Sequence, residues 1–123
     1  MLIILLTKCR TVLELDQTLN ALSDPTRRQI VNMLAEKSLS AGEIGKTFEI
    51  SAPALSRHLR ILRRSGLVDD ERDPSDNRLR IFRLRLSPLS ELQDWLEQVD
   101  DFWNLQLSAF KQYAEKSSGN END

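Results

Sequence analysis

Arg57, Arg60 and Arg64 recur at intervals of three and four within residues 51–66, and Pro53 and Ser56 precede them in the same segment. At about 100° per residue these positions gather on one side of a helix. Leu55, Leu59 and Leu62 fall on the other side, at i, i+4 and i+7. Guanidinium groups in a row neutralise phosphates, and one near a helix start can hold a guanine edge by two parallel hydrogen bonds. A leucine-backed helix of this kind is also narrow enough to enter a DNA major groove. A solvated surface helix would carry the same pattern, so the flanking sequence has to decide.

The elements needed to position such a helix lie on both sides of it. Ser51 supplies an N-cap, and Gly66 is the residue type expected just past a helix end. Upstream, Ser40-Ala41-Gly42-Glu43 is a capping-box pattern, followed by the apolar anchors Ile44, Phe48 and Ile50. The expected order is a helix at 41–47, a turn through Phe48-Glu49-Ile50, and a helix at 51–65, which is a helix-turn-helix. Downstream, Leu67-Val68 and the run 79–86 flank Asp73-Pro74-Ser75-Asp76-Asn77, whose side chains favour turns. Phe82, Leu84 and Leu86 alternate with Ile81, Arg83 and Arg85, the period of a strand with one core face. A hairpin at 67–86 directly after a helix-turn-helix makes a winged helix. Asp24-Pro25 caps another helix at 25–35, with Ile30, Val31 and Leu34 as its buried stripe. Val12, Leu15, Leu19 and Leu22 place a first helix of about three turns from Thr11. Ser87-Pro88 starts a last helix by the same cap-then-proline logic.

Residues 21–31, 51–68 and the hairpin together resemble the ArsR/SmtB family of bacterial transcriptional repressors, over roughly residues 12–113. Asp24-Pro25-Thr26-Arg27-Arg28 and Ser56-Arg57-His58-Leu59-Arg60 are the most specific stretches. The resemblance implies a dimeric winged helix that binds a double-stranded DNA operator and is released by a signal, here of unknown identity. The wing Asp73-Pro74-Ser75-Asp76-Asn77-Arg78 is also similar to that of MarR-type regulators. The chain is short for that fold and lacks its longer N-terminal helical region. Many ArsR/SmtB members sense metals through thiolates in the helix before the turn or through Asp and His on the last helix. Residues 41–46 hold no cysteine here, and no histidine follows His58, so no metal ligand and no cofactor is expected.

At 123 residues the chain is expected to form one domain with a single core. The net charge of −2 conceals a strong asymmetry. Residues 51–85 carry nine arginines against five acids, whereas residues 86–123 carry two lysines against eight acids. The basic field therefore sits on the arginine helix and the hairpin. A single cysteine, Cys9, excludes an intrachain disulfide and fits a reducing cytoplasm. Met1 to Leu6 is apolar but lacks a charged flank and is far shorter than a signal core or a membrane span. It reads either as a helix extension packed on a partner or as the product of an upstream start codon, and no membrane association is expected.

The basic face divides its labour. Ser51, Pro53, Ser56 and Arg57 lie near the helix start, with Ser56 and Arg57 best placed for base edges. Arg60 and Arg64 lie further along and are expected to hold phosphates. Arg78 and Arg80 of the wing reach toward the backbone or minor groove. Arg83 and Arg85 are expected to solvate the outer face of the strand. Asp76 is expected to pair with Arg72 or Arg78 and stiffen the wing tip. His58 flanks the leucine stripe, which makes it a hydrogen-bonded packing group or, as family members often carry His there, a phosphate contact. No nucleophile–base pair and no phosphate-binding glycine loop is present, so the chain is not expected to be an enzyme.

Leu89, Leu92, Trp95, Leu96, Val99, Phe102, Trp103, Leu107, Phe110 and Tyr113 project within a sector of about 140°. A helix over 89–115 would run about 40 Å, more than one small core can cover. Leu15, Leu19, Leu92, Trp95, Val99, Phe102, Trp103 and Phe110 are therefore expected at a homodimer interface. The expected fold is mainly α with a small β-hairpin wing (α+β), a winged helix-turn-helix with a long C-terminal dimerisation helix. Its parts are an N-terminal segment and first helix (1–20), a DNA-binding core (21–87), the dimerisation helix (88–116) and a disordered tail (117–123). The expected role is a cytoplasmic repressor on a palindromic operator. Two other uses stay open: a winged-helix protein-interaction module, and a thiol-based redox-sensing regulator through Cys9.

Overall fold

The computed structural model describes residues 14–121, with side chains through residue 117. Cys9, Val12 and the apolar segment Met1 to Leu6 lie outside the described residues. Helix α1 is described over 14–21 and is followed by α2 (Pro25–Glu36), β1 (Leu39–Ser40), α3 (Ala41–Gly45) and α4 (Ala52–Arg64). The strands β2 (Val68–Arg72) and β3 (Arg80–Leu84) and the helix α5 (Leu86–Glu121) complete the order. The chain divides into two compact units, one through Glu91 and one from Leu92.

The first unit is built on the expected caps. Asp24 accepts the Arg27 amide at 3.0 Å, and Pro25, which has no amide hydrogen to leave unpaired, opens α2. Ser40 and Glu43 close a reciprocal capping box at the start of α3, at 3.2 and 3.3 Å. Ile30, Ile44, Leu62 and Leu67 are fully buried, each contributing about 1.5–3 kcal/mol by leaving water. Val31, Leu34, Leu55, Leu59, Val68 and Phe82 complete one continuous core, and Leu89 at the start of α5 packs on its edge.

Several details depart from expectation. The sheet has three strands, not a bare hairpin, in the antiparallel order β1-β3-β2. Leu39 pairs with Phe82 and Ser40 with Ile81, so Ser40 is both a strand residue and a helix cap. On α1 the buried residues are Thr18 and Ala21, while Leu19 remains 40% exposed. Thr18 is buried without penalty because its hydroxyl donates to the Glu14 carbonyl at 3.0 Å. Leu86 is not a strand residue: β3 ends at Leu84, and Leu86 begins α5 with its side chain largely exposed. Ser87 and Pro88 thus sit inside the first turn, where a missing amide hydrogen is still tolerated. α5 also continues as helix to Glu121, where a disordered tail was expected from 117. No proline lies there, and Gly119 is taken up into the helix, so neither of the usual stops operates.

In the second unit, α5 leaves Val99, Phe102, Trp103, Leu107, Phe110 and Tyr113 exposed.

Candidate nucleic-acid interface

Helix α4 is held at both ends and along its back. Ser51 accepts the Ala54 amide at 3.2 Å, with Pro53 in the first turn. Leu55, Leu59 and Leu62 anchor the buried side. A Cβ on Gly45 would stand 3.3 Å from Leu55 Cδ2, so a larger residue there would need the leucine end to give by a few tenths of an ångström. Gly66, at φ 84°, ends the helix in the left-handed region that side chains avoid.

The opposite side faces solvent. Ser51, Pro53, Ser56, Arg57, Arg60 and Arg64 are all exposed. Arg57, Arg60 and Arg64 make no ion pair among the described residues, so three full charges stand uncompensated on one helix face.

His58 turns instead toward α2. Its Nδ1 lies 3.4 Å from Arg27 Nη1 and 3.9 Å from Asp24 Oδ2. The hydrogen bond from the Arg27 amide, with the nearby His58 and Arg27 charges, holds the Asp24 carboxyl below the usual range against some desolvation. Arg27 also donates from Nε to the Ala21 carbonyl at 2.7 Å, and Arg28 donates to Leu22 O at 2.8 Å. The Asp-Pro-Thr-Arg-Arg stretch thus uses both arginines to satisfy carbonyls at the end of α1, which would otherwise lack partners. That role has no sequence signal beyond the two charges themselves.

The wing is fixed by carboxylates. Asp73 accepts from the Ser75 amide at 2.9 Å and the Ser75 hydroxyl at 2.8 Å, and these bonds lower its pKa. Asp76 accepts the Arg78 amide at 3.0 Å and pairs with the Arg78 side chain at 3.7 Å. Arg83 lies between Asp69 and Glu71, at 3.8 and 3.3 Å, on the outer face of the hairpin.

Asp70 joins the wing to α4. Its side chain is 9% exposed and accepts from Arg80 at 2.6 Å and from Arg63 at 3.5 Å. Burial alone would raise its pKa, but the Arg80 hydrogen bond and the charges of Arg63 and Arg80 outweigh it and hold the carboxyl below the usual range. Arg80, expected to reach toward DNA, therefore shares its guanidinium with Asp70 while its side chain stays half exposed. Arg63 escaped the sequence reading because it projects on the flank of the leucine stripe, and its partner is adjacent only once the hairpin has formed.

Between α4 and the wing lies an open groove of about 400 Å3. Leu59, Leu79 and Phe82 supply apolar walls, and Arg60, Arg63 and Arg80 also line it. Among the described residues no cluster of three His, Cys, Asp or Glu side chains could hold a metal ion. Nor is any described helix long and apolar enough to cross a membrane.

Comparison with known proteins agrees with the winged-helix fold. Residues 24–70 match the family described as bacterial regulatory protein, arsR family. The chain is 36% identical over 97 residues to the HTH-type transcriptional regulator Rv2034 of Mycobacterium tuberculosis, covering 79% of this chain and 85% of that protein. It is 40% identical over 58 residues to the transcriptional repressor SdpR of Bacillus subtilis, covering 47% of this chain and 64% of that protein. Among solved structures, an ArsR-like transcriptional regulator from Rhodococcus sp. RHA1 superposes with a TM-score of 0.74 at 30% identity. That likeness covers 88% of this chain and 96% of the other.

Proposed function

The chain belongs to the arsR family of bacterial regulatory proteins, DNA-binding transcriptional regulators and not enzymes, and on that premise we propose that it is a homodimeric repressor of a palindromic operator. Each protomer lays α4 in a major groove, with the two half-sites about one helical turn apart. Ser56 and Arg57 meet base edges, Arg60 and Arg64 grip phosphates, and Arg78 at the wing tip reaches the neighbouring backbone. The dimer forms through α1 and α5, and the protein works in the cytoplasm.

The observation that carries this reading is the exposed, unpaired triplet Arg57, Arg60 and Arg64 on a helix capped at both ends. Three exposed guanidinium groups on one helix face present a positive field that attracts phosphates and releases their counterions. The dimer rests on α5, where Phe102, Trp103 and Phe110 are each at least 60% exposed. Bare aromatic rings at helical spacing favour a symmetric partner surface.

The test uses the DNA upstream of the protein's own gene, searched for an inverted repeat and titrated by fluorescence anisotropy at several salt concentrations. Binding whose logarithm falls linearly with the logarithm of salt, at one dimer per repeat, is the expected result. Salt-independent binding, or equal affinity for the repeat and a scrambled duplex, would reject the reading.

A further inference from the structure

The groove between α4 and the wing has a character that phosphate binding does not require. Leu59 and Phe82 close its base, each less than a tenth exposed. Leu79 stands 44% exposed between two arginines of the wing and lines the same groove. A sugar–phosphate backbone gains nothing from three apolar side chains. Its ligands are guanidinium, hydroxyl and amide donors.

The charges around these apolar walls do not cancel. Four arginines line the groove: Arg63 and Arg80 share the single negative charge of Asp70, Arg78 is balanced by Asp76, and Arg60 has no ion-pair partner among the described residues. Two positive charges therefore remain beside an apolar surface in a groove of about 400 Å3. That volume is at the low end of small-molecule sites, enough for one or two rings or a medium acyl chain. Arginine in turn favours carboxylate through paired, parallel hydrogen bonds.

We infer that this groove binds an organic monoanion with an apolar body, and that its occupancy excludes DNA. The carboxylate takes Arg60 and the outward edges of Arg63 and Arg80, and the apolar body lies against Leu59, Leu79 and Phe82. Binding stands on the groove alone. The exclusion rests on the proposed DNA-binding role, because Arg60 would then serve both ligands in turn. At 0.1 M salt, giving up one phosphate weakens DNA binding about tenfold.

The test uses the full chain with methyl-labelled leucines and three probes: benzoate, 1-naphthoate and decanoate, with 1-naphthamide as the uncharged control. At least one carboxylate is expected to shift the Leu59 and Leu79 methyl signals saturably, and the amide is not. The same probe should weaken operator binding about tenfold or more. Leu79→Asn removes one apolar wall without changing charge, and it should weaken the probe while leaving DNA affinity intact. Absent or diffuse shifts with all three carboxylates, or equal shifts with the amide, would overturn the site. Localised shifts with operator affinity unchanged would overturn the exclusion. A protein that binds no duplex would refute the proposed function instead, with the methyl shifts alone then deciding whether the site stands.

Discussion

Asp70 of β2 and Arg80 of β3 meet at 2.6 Å across the wing, in a diagonal relationship, since Asp70 lies opposite Phe82 and Arg80 opposite Arg72. Cross-strand diagonal neighbours are within reach of a long side chain, and arginine uses that reach here. Arg63 brings a second guanidinium from α4 to the same carboxylate. One acid thereby ties α4 to both strands of the wing.

Asp70→Asn should lower stability by about 1–2 kcal/mol at neutral pH, since both arginine partners are half exposed and only part of a buried-pair penalty applies. The pH dependence follows from the depressed pKa of Asp70. Its stabilising contribution is complete above the unfolded value, about 3.9, and is lost as pH falls through the lower folded value. Urea midpoints measured from about pH 6 down to about pH 2 should fall less steeply in acid for the variant than for the unaltered protein. Identical slopes would remove Asp70 from the account.

Arg57→Ala should cost about 1–3 kcal/mol and relax base preference at one position per half-site. Arg64→Ala should weaken all sequences alike and reduce the salt slope by about 0.9 for each phosphate it no longer neutralises. Affinities for a set of operator variants at several salt concentrations separate the two. If Arg57→Ala changes only the salt slope, α4 is rotated relative to this assignment.

Trp103→Gln and Phe110→Gln together should convert dimers to monomers or aggregates, because both rings are exposed in the single chain. Sedimentation velocity at micromolar concentration reads the result. An unaltered protein that sediments as a monomer would end the dimer proposal.

Gly66→Ala should destabilise by roughly 1–2 kcal/mol through backbone strain alone. Space is not the obstacle, because a Cβ there would meet only Pro88 Cγ at 3.8 Å. Gly66→Asn should cost less, since asparagine tolerates the left-handed region. A thermal midpoint for Gly66→Ala equal to that of the unaltered protein would contradict the strain.

The caps and periods were legible in the sequence because they are local. Asp24, Ser40 and Ser51 each announce a helix within four residues, and the leucine stripe of α4 fixes its buried side. The arginine face followed from the same geometry. β1 was not legible, because two residues carry no period and Ser40 already had a role as a cap. The Arg63–Asp70–Arg80 cluster was hidden for a different reason. Its members come from three elements, and nothing in their spacing brings them together before the hairpin folds against α4. The burial of Thr18 carried no sequence signal, since it depends on the hydroxyl finding the Glu14 carbonyl within the helix.

The strand order β1-β3-β2 leaves β3 paired on both sides and β2 as the long outer strand. An outer strand offers unpaired amides and carbonyls to any passing chain, and a flat apolar one invites polymerisation. β2 reads Val-Asp-Asp-Glu-Arg, so four of its five residues are charged. The carboxylates of Asp69 and Glu71, unwelcome beside DNA, make the annexation of a further strand costly by desolvation and like-charge repulsion. Replacing both by threonine would leave Arg83 without these two partners and make the outer strand less costly to extend.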